Sequence, residues 1–334
     1  MYKVVSLFSG CGGAEQGILG EFLFNKKHYE RLPFELVYAT DIDPKALNSH
    51  MKNFECKNVV CKDICETNSE EIPDCDIVVG GFPCQSFSTV NPNKDPFDDR
   101  ANLYKQMVRV VKDKQPKVFI AENVKGLMTL HKGSIFQRVV KAFEEVGYTT
   151  YTKLFNAADY GVPQRRERVI IIGIRNDLND KMEYEFPIET NKNNWVPLSV
   201  AVPKLAIEEQ KYYFSKRAVQ GMKNAKNNMK RGLYQDLNKP CLTITSHLAK
   251  VSLNSRDPVL LVDSSKELYR RFTPLEAARI QSFPDEFKFA GSETDAYRQI
   301  GNAIPPVMFW HIAKSVEDYL KECKKEKTIM KEAI

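Results

Sequence analysis

Long apolar runs are missing from this 334-residue chain, and no stretch approaches the ~20 consecutive apolar residues of a membrane span. The opening residues, MYKVVSLFSG, lead straight into a strand-like run, with neither a signal peptide nor an amphipathic transit segment. A cytoplasmic protein is therefore expected. Eight cysteines occur, five of them from Cys56 to Cys84, yet no C-x-x-C pair is present. Histidine is sparse near them (His50, then His131), so a zinc site has little support and no metal is expected. Without a secretion signal, a disulfide framework is not expected either. Internal repeats, G-x-G-x-x-G and the P-loop are also missing, which disfavours pyrophosphate and ATP as ligands.

What is present describes an ordinary globular chain, 43% hydrophobic and 28% charged, long enough for one large domain and a smaller one. The net charge of +6 is unevenly spread. From Lys211 to Arg256 ten Lys or Arg face one acid, Asp236, so the remainder is net acidic. Such a run is either a solvated face or the footprint of phosphate contacts.

The first 175 residues alternate apolar runs with helical patterns, which predicts a parallel sheet covered by helices. Strands are expected at 3–8, 35–40, 58–63, 75–81, 116–123 and 167–175. Amphipathic helices are expected at 102–116, where Leu103, Met107, Val110 and Val111 share a face, and at 135–148. After residue 176 the alternation stops. Residues 176–265, rich in Asn and Lys, predict a smaller domain with much irregular structure, and 321–333 reads as the charged end of the last helix.

Ligands of open α/β sheets bind beyond the carboxyl ends of the strands, and here those ends carry polar and glycine-rich motifs. The first opens into FSGCGGAEQG, where glycines permit a tight turn and close approach of a ligand. The second ends at Asp41, suited to ribose hydroxyls, and the third at Asp63, suited to an adenine amino group. Together they describe an adenosine cofactor without phosphates. The fourth delivers GGFPCQSFS, holding Cys84 between proline and glutamine as a nucleophile. The fifth ends in AENVKG, which places Glu122 beside Cys84 if the two strands are neighbours. Arg165, Arg166 and Arg168 precede the next strand, within reach of the same pocket.

SLFSGCGG, GGFPCQSFS, AENVKGL, DYGVPQRRERVIIIG, RRFTPLEAARIQSFPDEF and YRQIGNAIPPVM resemble the blocks of the DNA (cytosine-5) methyltransferases of prokaryotic restriction–modification systems. They follow in that family's order and span residues 6 to 308. The resemblance implies a Rossmann-like S-adenosylmethionine-dependent sheet with helices on both faces, plus a smaller irregular target-recognition domain. It implies a catalytic and cofactor-binding domain at 1–180 and 301–334, a recognition domain at 181–272 and a hinge at 273–300. S-adenosylmethionine would be held by Phe8, Cys11, Gly13, Asp41, Ile42, Asp63, Ile64, Pro83, Leu103, Asn302 and Ala303. The family chemistry would fall to Cys84, adding to C6 of a flipped cytosine, to Glu122 at N3, to Arg168 at O2 and to Arg166 supporting the loop.

Double-stranded DNA is the implied partner, met by Gln85, Ser88, Thr243, Thr245, His247, Lys250, Asn254 and Arg256. A cognate restriction endonuclease is the implied functional partner, and a monomer is expected. Two departures stand out: Ser6 occupies a position where many members have Asp, and Asp41 is shorter than the more usual Glu. Three other readings compete. A tRNA cytosine-5 methyltransferase would carry a Cys-Phe-Thr signature, which is absent. A degenerate DNA-binding homologue would have lost Cys84 or Glu122. A nicotinamide-dependent oxidoreductase leaves the cysteine frame and the basic segment unexplained.

Overall fold

A computed structural model describes residues 1–83, 103–179, 182–227, 233–249 and 258–332, with the backbone alone at 225–227 and 326–332. Cys84, Gln85, Ser88, Lys250, Asn254 and Arg256 lie outside the described residues. Strand β1 (Tyr2–Leu7) runs into helix α1 (Gly13–Leu19), and a small hairpin of β2 (Phe22–Phe24) and β3 (Lys27–Tyr29) follows. Next come β4 (Phe34–Asp41), α2 (Pro44–Asn53), β5 (Val59–Cys61) and β6 (Ile77–Gly80). The chain continues through α3 (Leu103–Lys114), β7 (Val118–Val124), α4 (Ser134–Glu144) and β8 (Tyr148–Asn156). Strands β9 (Gln164–Arg165) and β10 (Glu167–Arg175) lead to α5 (Asn176–Asn179) and α6 (Lys216–Asn227). The remainder holds β11 (Cys241–Leu242), the hairpin β12 (Leu260–Asp263) and β13 (Leu268–Arg270), α7 (Pro274–Ile280), α8 (Glu293–Asn302) and α9 (Pro306–Glu332).

The central sheet has the order β5-β4-β1-β6-β7-β10-β8. Strands β5, β4, β1, β6 and β7 are parallel, as the alternation predicts. Strand β10 departs from that expectation, because it enters antiparallel between β7 and β8. Consecutive residues feed opposite faces, as the strand period requires. Val4, Ile120 and Ile172 pack against Ile18, Val307 and Ile312 of α1 and α9. Val5, Phe119 and Ile171 pack against Met107, Val110 and Phe143 of α3 and α4. Helices thus cover both faces, and each fully buried aliphatic side chain contributes about 1.5–3 kcal/mol.

Strand β8 was not foreseen, and the helix expected over 135–148 stops at Glu144. Gly147 is the reason: at φ 98° it takes a left-handed conformation that ends the helix and turns the chain into β8. Residues from Leu198 to Ala303 build a further core with Cys241, Ile244, Phe272, Phe283 and Ile300. Arg270, with its side chain fully buried, makes two 2.7 Å bonds to Glu276 and reaches the carbonyls of Lys204 and Leu205. Glu276 also closes the capping box with Thr273 at the start of α7, so this pair organises the region. Among the described residues no helix is long and apolar enough to cross a membrane.

Candidate active site

Strand order reverses between β1 and β6, which opens a crevice at their carboxyl ends. Register fixes what lines it: Asp41 pairs Cys61, Leu7 pairs Thr40 and Gly80, and Gly80 pairs Ala121. The loops beginning near Phe8, Ile42, Lys62, Gly81 and Glu122 therefore leave one edge side by side.

Gly10, at φ 56°, has only open space where a side chain would project, and its N–H donates to Asp41 Oδ2 at 2.8 Å. Asp41 Oδ1 accepts the Asp43 N–H at 2.9 Å. Burial raises the Asp41 carboxyl above its ordinary range, against the pull of the Asp43 and Gly10 N–H groups. The carboxylate is thereby held rigidly beside an open stretch of backbone, while the side chain of Ile42 is exposed next to it. Asp63 is exposed and accepts the Cys65 N–H at 2.9 Å. An adenosine group fits this set: two carboxylates, an apolar side chain and bare backbone at Gly10. Phe8, Pro83, Leu103 and Asn302 also reach accessible surface.

The other expected cofactor residues sit deeper. Ile64 is 3% exposed within the core under α3. Cys11 is buried with its thiol toward the Gln299 carbonyl, and burial pushes its pKa up. Ala303 is buried in the same cluster as Cys11. Gly13 is buried because α1 lies on the chain leading into α9: a Cβ there would stand 2.4 Å from the Ile304 carbonyl oxygen. Gly17 has a similar role against Pro306 and Phe309. Of these glycines Gly10 suits a ligand, and the other two serve helix packing.

Beneath the glycine turn lies a group that sequence reasoning missed. The Ser6 hydroxyl donates to Glu15, which is 1% exposed, and the fully buried His50 approaches the same carboxyl at 3.8 Å. Burial pushes the Glu15 carboxyl up to about 7 and the His50 imidazole down to about 4.

At the other side of the crevice, Glu122 meets Arg168 with Nε donating to Oε1 at 2.8 Å, each side chain 12% exposed. The partners belong to paired strands, since Arg168 is in register with Val124 and Ile170 with Glu122. Strands β6 and β7 are neighbours, as the placement of Glu122 by the cysteine loop requires. The next residue, Asn123, donates to the Phe82 carbonyl at 2.8 Å and ties that loop to β7. The two glycines before Phe82 divide the work. A Cβ on Gly80 would stand 3.1 Å from Met107 Sδ, and one on Gly81 3.1 Å from Glu122 Oε2. Gly81 thus leaves room for the carboxylate; the doubled glycine was its only signal in the sequence.

Arg166 is buried and braces the region. Its guanidinium donates to the carbonyls of Ile244 (3.1 Å), Gly301 (2.9 Å) and Ala303 (3.0 Å). Burial lowers its pKa, Arg168 adds to that shift and Glu122 opposes it. Gln164 and Gln281, both fully buried, complete the brace through a 2.5 Å bond to each other and bonds to Ile280, Ile300 and Ala303. Strand β11 pairs with β9, and the Thr243 hydroxyl donates to the Arg165 carbonyl at 2.6 Å. Thr245 accepts the His247 N–H, so both threonine hydroxyls are engaged within the fold, while the His247 side chain is exposed. In the basic segment Lys211, Lys223 and Lys239 pair with Glu293, Glu267 and Asp236, which reduces the local charge excess.

The profile of the family described as C-5 cytosine-specific DNA methylase matches residues 2–318. The chain is 33% identical over 356 residues to the Type II methyltransferase M.FnuDI of Fusobacterium nucleatum, covering 97% of each. It is 35% identical over 336 residues to M.NgoFVII of Neisseria gonorrhoeae, covering 94% of this chain and 86% of the relative. The fold matches the S. pombe Dnmt2 methyltransferase with a TM-score of 0.71 at 18% identity, over 96% of this chain and 99% of that one. That last likeness speaks for the fold alone. With a matched profile over nearly its whole length and relatives of this identity, the chain belongs to the C-5 cytosine-specific DNA methylase family and is a DNA cytosine-5-methyltransferase of the restriction–modification type.

Proposed function

We propose that the enzyme methylates a cytosine flipped out of a short duplex sequence, through a transient bond between Cys84 and C6 of the base. The observation that carries this reading is the Glu122–Arg168 pair, held at the strand neighbouring the one that leads through Pro83 into Cys84. S-adenosylmethionine, bound by Asp41, Asp63, Ile42 and the bare backbone at Gly10, supplies the methyl group that C5 accepts.

The remaining chemistry belongs to the chain. C5 of cytosine is a weak nucleophile. The Cys84 thiolate forms a bond to C6, and the C5–C6 π electrons shift to C5. Glu122 stabilises the charge that develops at N3, with Arg168 fixing the carboxylate's orientation and lying within reach of O2. After C5 is methylated its proton leaves, the C5–C6 double bond re-forms, and the thiolate is expelled. A stacked base is out of reach of this pocket, so flipping, at a few kcal/mol, is part of the cycle. Gln85, Ser88, His247, Lys250, Asn254 and Arg256 are the candidates for contacts to the duplex, and residues 181–272 for the recognition domain. The biological role is protection of host DNA from a cognate endonuclease, by a monomeric enzyme.

The test uses methyl-labelled S-adenosylmethionine, unmethylated duplex DNA and a Cys84→Ala variant. Label recovered as 5-methylcytosine, and lost in the variant, is the expected result. Undiminished transfer by the variant removes the covalent step, and transfer to tRNA but to no duplex removes the substrate.

A further inference from the structure

Of the three arginines around β9, two are engaged: Arg166 with carbonyls and Arg168 with Glu122. Arg165 is exposed, and among the described residues no hydrogen bond or ion pair engages its guanidinium. It is nevertheless held. The guanidinium carbon lies 4.7 Å from the centre of the Trp195 ring. The indole is itself pinned, since Trp195 Nε1 donates to Asp159 Oδ1 at 2.7 Å and the Asn191 N–H donates to the Asp159 carbonyl at 2.8 Å. Beneath the side chain, the Arg165 backbone is zipped to β11 through Leu242 and Thr243.

We propose that Arg165 is a backbone phosphate contact for the DNA duplex, presented by Trp195. Resting over the indole occupies none of the guanidinium's N–H groups with an acceptor, and those groups are what a phosphate diester takes. The stack also restricts a side chain that otherwise loses much rotamer freedom on binding. Placement agrees with the chemistry. Arg165 is three residues from Arg168, at most ~10 Å of chain, so a strand whose base reaches Glu122 carries its backbone past Arg165. Thr243, which donates to the Arg165 carbonyl, begins the stretch that ends in His247, so the contact stands where the candidate duplex-contacting residues meet β9, just ahead of β10. This inference rests on the duplex-binding reading above.

The experiment is a fluorescence anisotropy titration of the full chain with a short unmethylated duplex, repeated from ~50 to ~200 mM salt. Arg165→Ala is expected to lower the slope of log K against log salt by about 0.9, and to weaken binding about fivefold at ~0.15 M salt. Arg165→Lys keeps the slope. Trp195→Leu also keeps it, because the charge remains, but weakens binding about threefold by freeing the arm. S-adenosylhomocysteine binding and thermal unfolding of Arg165→Ala, unchanged, show that the fold is intact. A wild-type slope and affinity in Arg165→Ala overturn the proposal and leave the duplex reading standing. So does a slope that Arg165→Lys fails to keep. A wild-type chain that binds no duplex at any of these salt concentrations overturns both.

Discussion

Gly80 and Gly81 offer a matched pair of perturbations. Neither has a positive φ, so alanine strains no backbone at either place. At both, the new methyl would meet its nearest neighbour at 3.1 Å, inside the 3.4–4 Å of ordinary contact. The neighbours differ. At position 80 they are Met107 Sδ and the Leu7 carbonyl oxygen; at position 81 the neighbour is the Glu122 carboxylate. Relieving the second contact takes a shift of at least about 0.3 Å, and the bond to Arg168 Nε, now 2.8 Å, must lengthen or tilt. A misplacement of ~1 Å costs about a hundredfold in rate. A few tenths therefore predicts roughly a tenfold loss, equivalent to about 1.4 kcal/mol of barrier. Gly80→Ala overpacks the sheet and is expected to lose about 1–3 kcal/mol of stability with little change in chemistry. Single-turnover transfer of labelled methyl to duplex DNA reads the first effect, and urea unfolding the second. Equal rate losses in the two variants, or wild-type transfer by Gly81→Ala, would refute the assignment of Gly81 to the carboxylate.

Glu122→Gln is expected to lower the transfer rate by about 10²–10³ while S-adenosylhomocysteine binding stays unchanged, as read by single-turnover kinetics and calorimetry. Arg166→Met leaves the carbonyls of Ile244, Gly301 and Ala303 without their donors and is expected to cost about 3–5 kcal/mol in urea unfolding. Glu15 provides a pH test. Its folded pKa of about 7 lies above the ordinary 4.5, so the unfolded chain gives up this proton first, and stability falls as pH rises from about 4.5 through 7. Glu15→Gln, neutral throughout, is expected to be more stable than wild type by on the order of 3 kcal/mol at pH ~8 and level with it at pH ~4. A difference that does not vary with pH refutes the buried carboxylate.

What could be read from the sequence was whatever chemistry demands a residue type at a strand end. Asp41, Asp63 and Glu122 stand where apolar runs stop, and the neighbouring of β6 and β7 needed only the alternation of elements to be guessed. Packing was less legible, because one residue type serves several ends. Gly10, Gly13 and Gly17 look alike in a string, yet the first faces open space and the others admit α9. Nothing in the sequence marks Gln164 and Gln281 as buried, yet both are, each satisfied by partners more than 15 residues away along the chain. Strand β8 escaped because TTYTKL, in its middle, is only partly buried at an edge of the sheet and lacks the apolar run that marked the other strands. The antiparallel entry of β10 follows from β8, so missing one meant missing the other.

Ser6 is the departure that the structure accounts for best. Taken alone, serine where many members carry aspartate reads as the loss of an acid at the end of the first strand. Its hydroxyl, however, donates to Glu15 from a position 2% exposed. An aspartate at 6 would set a second carboxyl within hydrogen-bond reach of Glu15, in a site where burial already holds one proton on to about pH 7. Two buried carboxyls at that separation cannot both ionise. The serine is therefore matched to the glutamate nine residues on: position 6 supplies the donor, position 15 the acid. The acid under the glycine turn stands on the helix, with His50 as its neighbour. Because Glu15 reaches Ser6 rather than Gly10 or Asp43, their pairing leaves both N–H donors to Asp41 in place. The open side of the turn at Gly10 keeps its geometry.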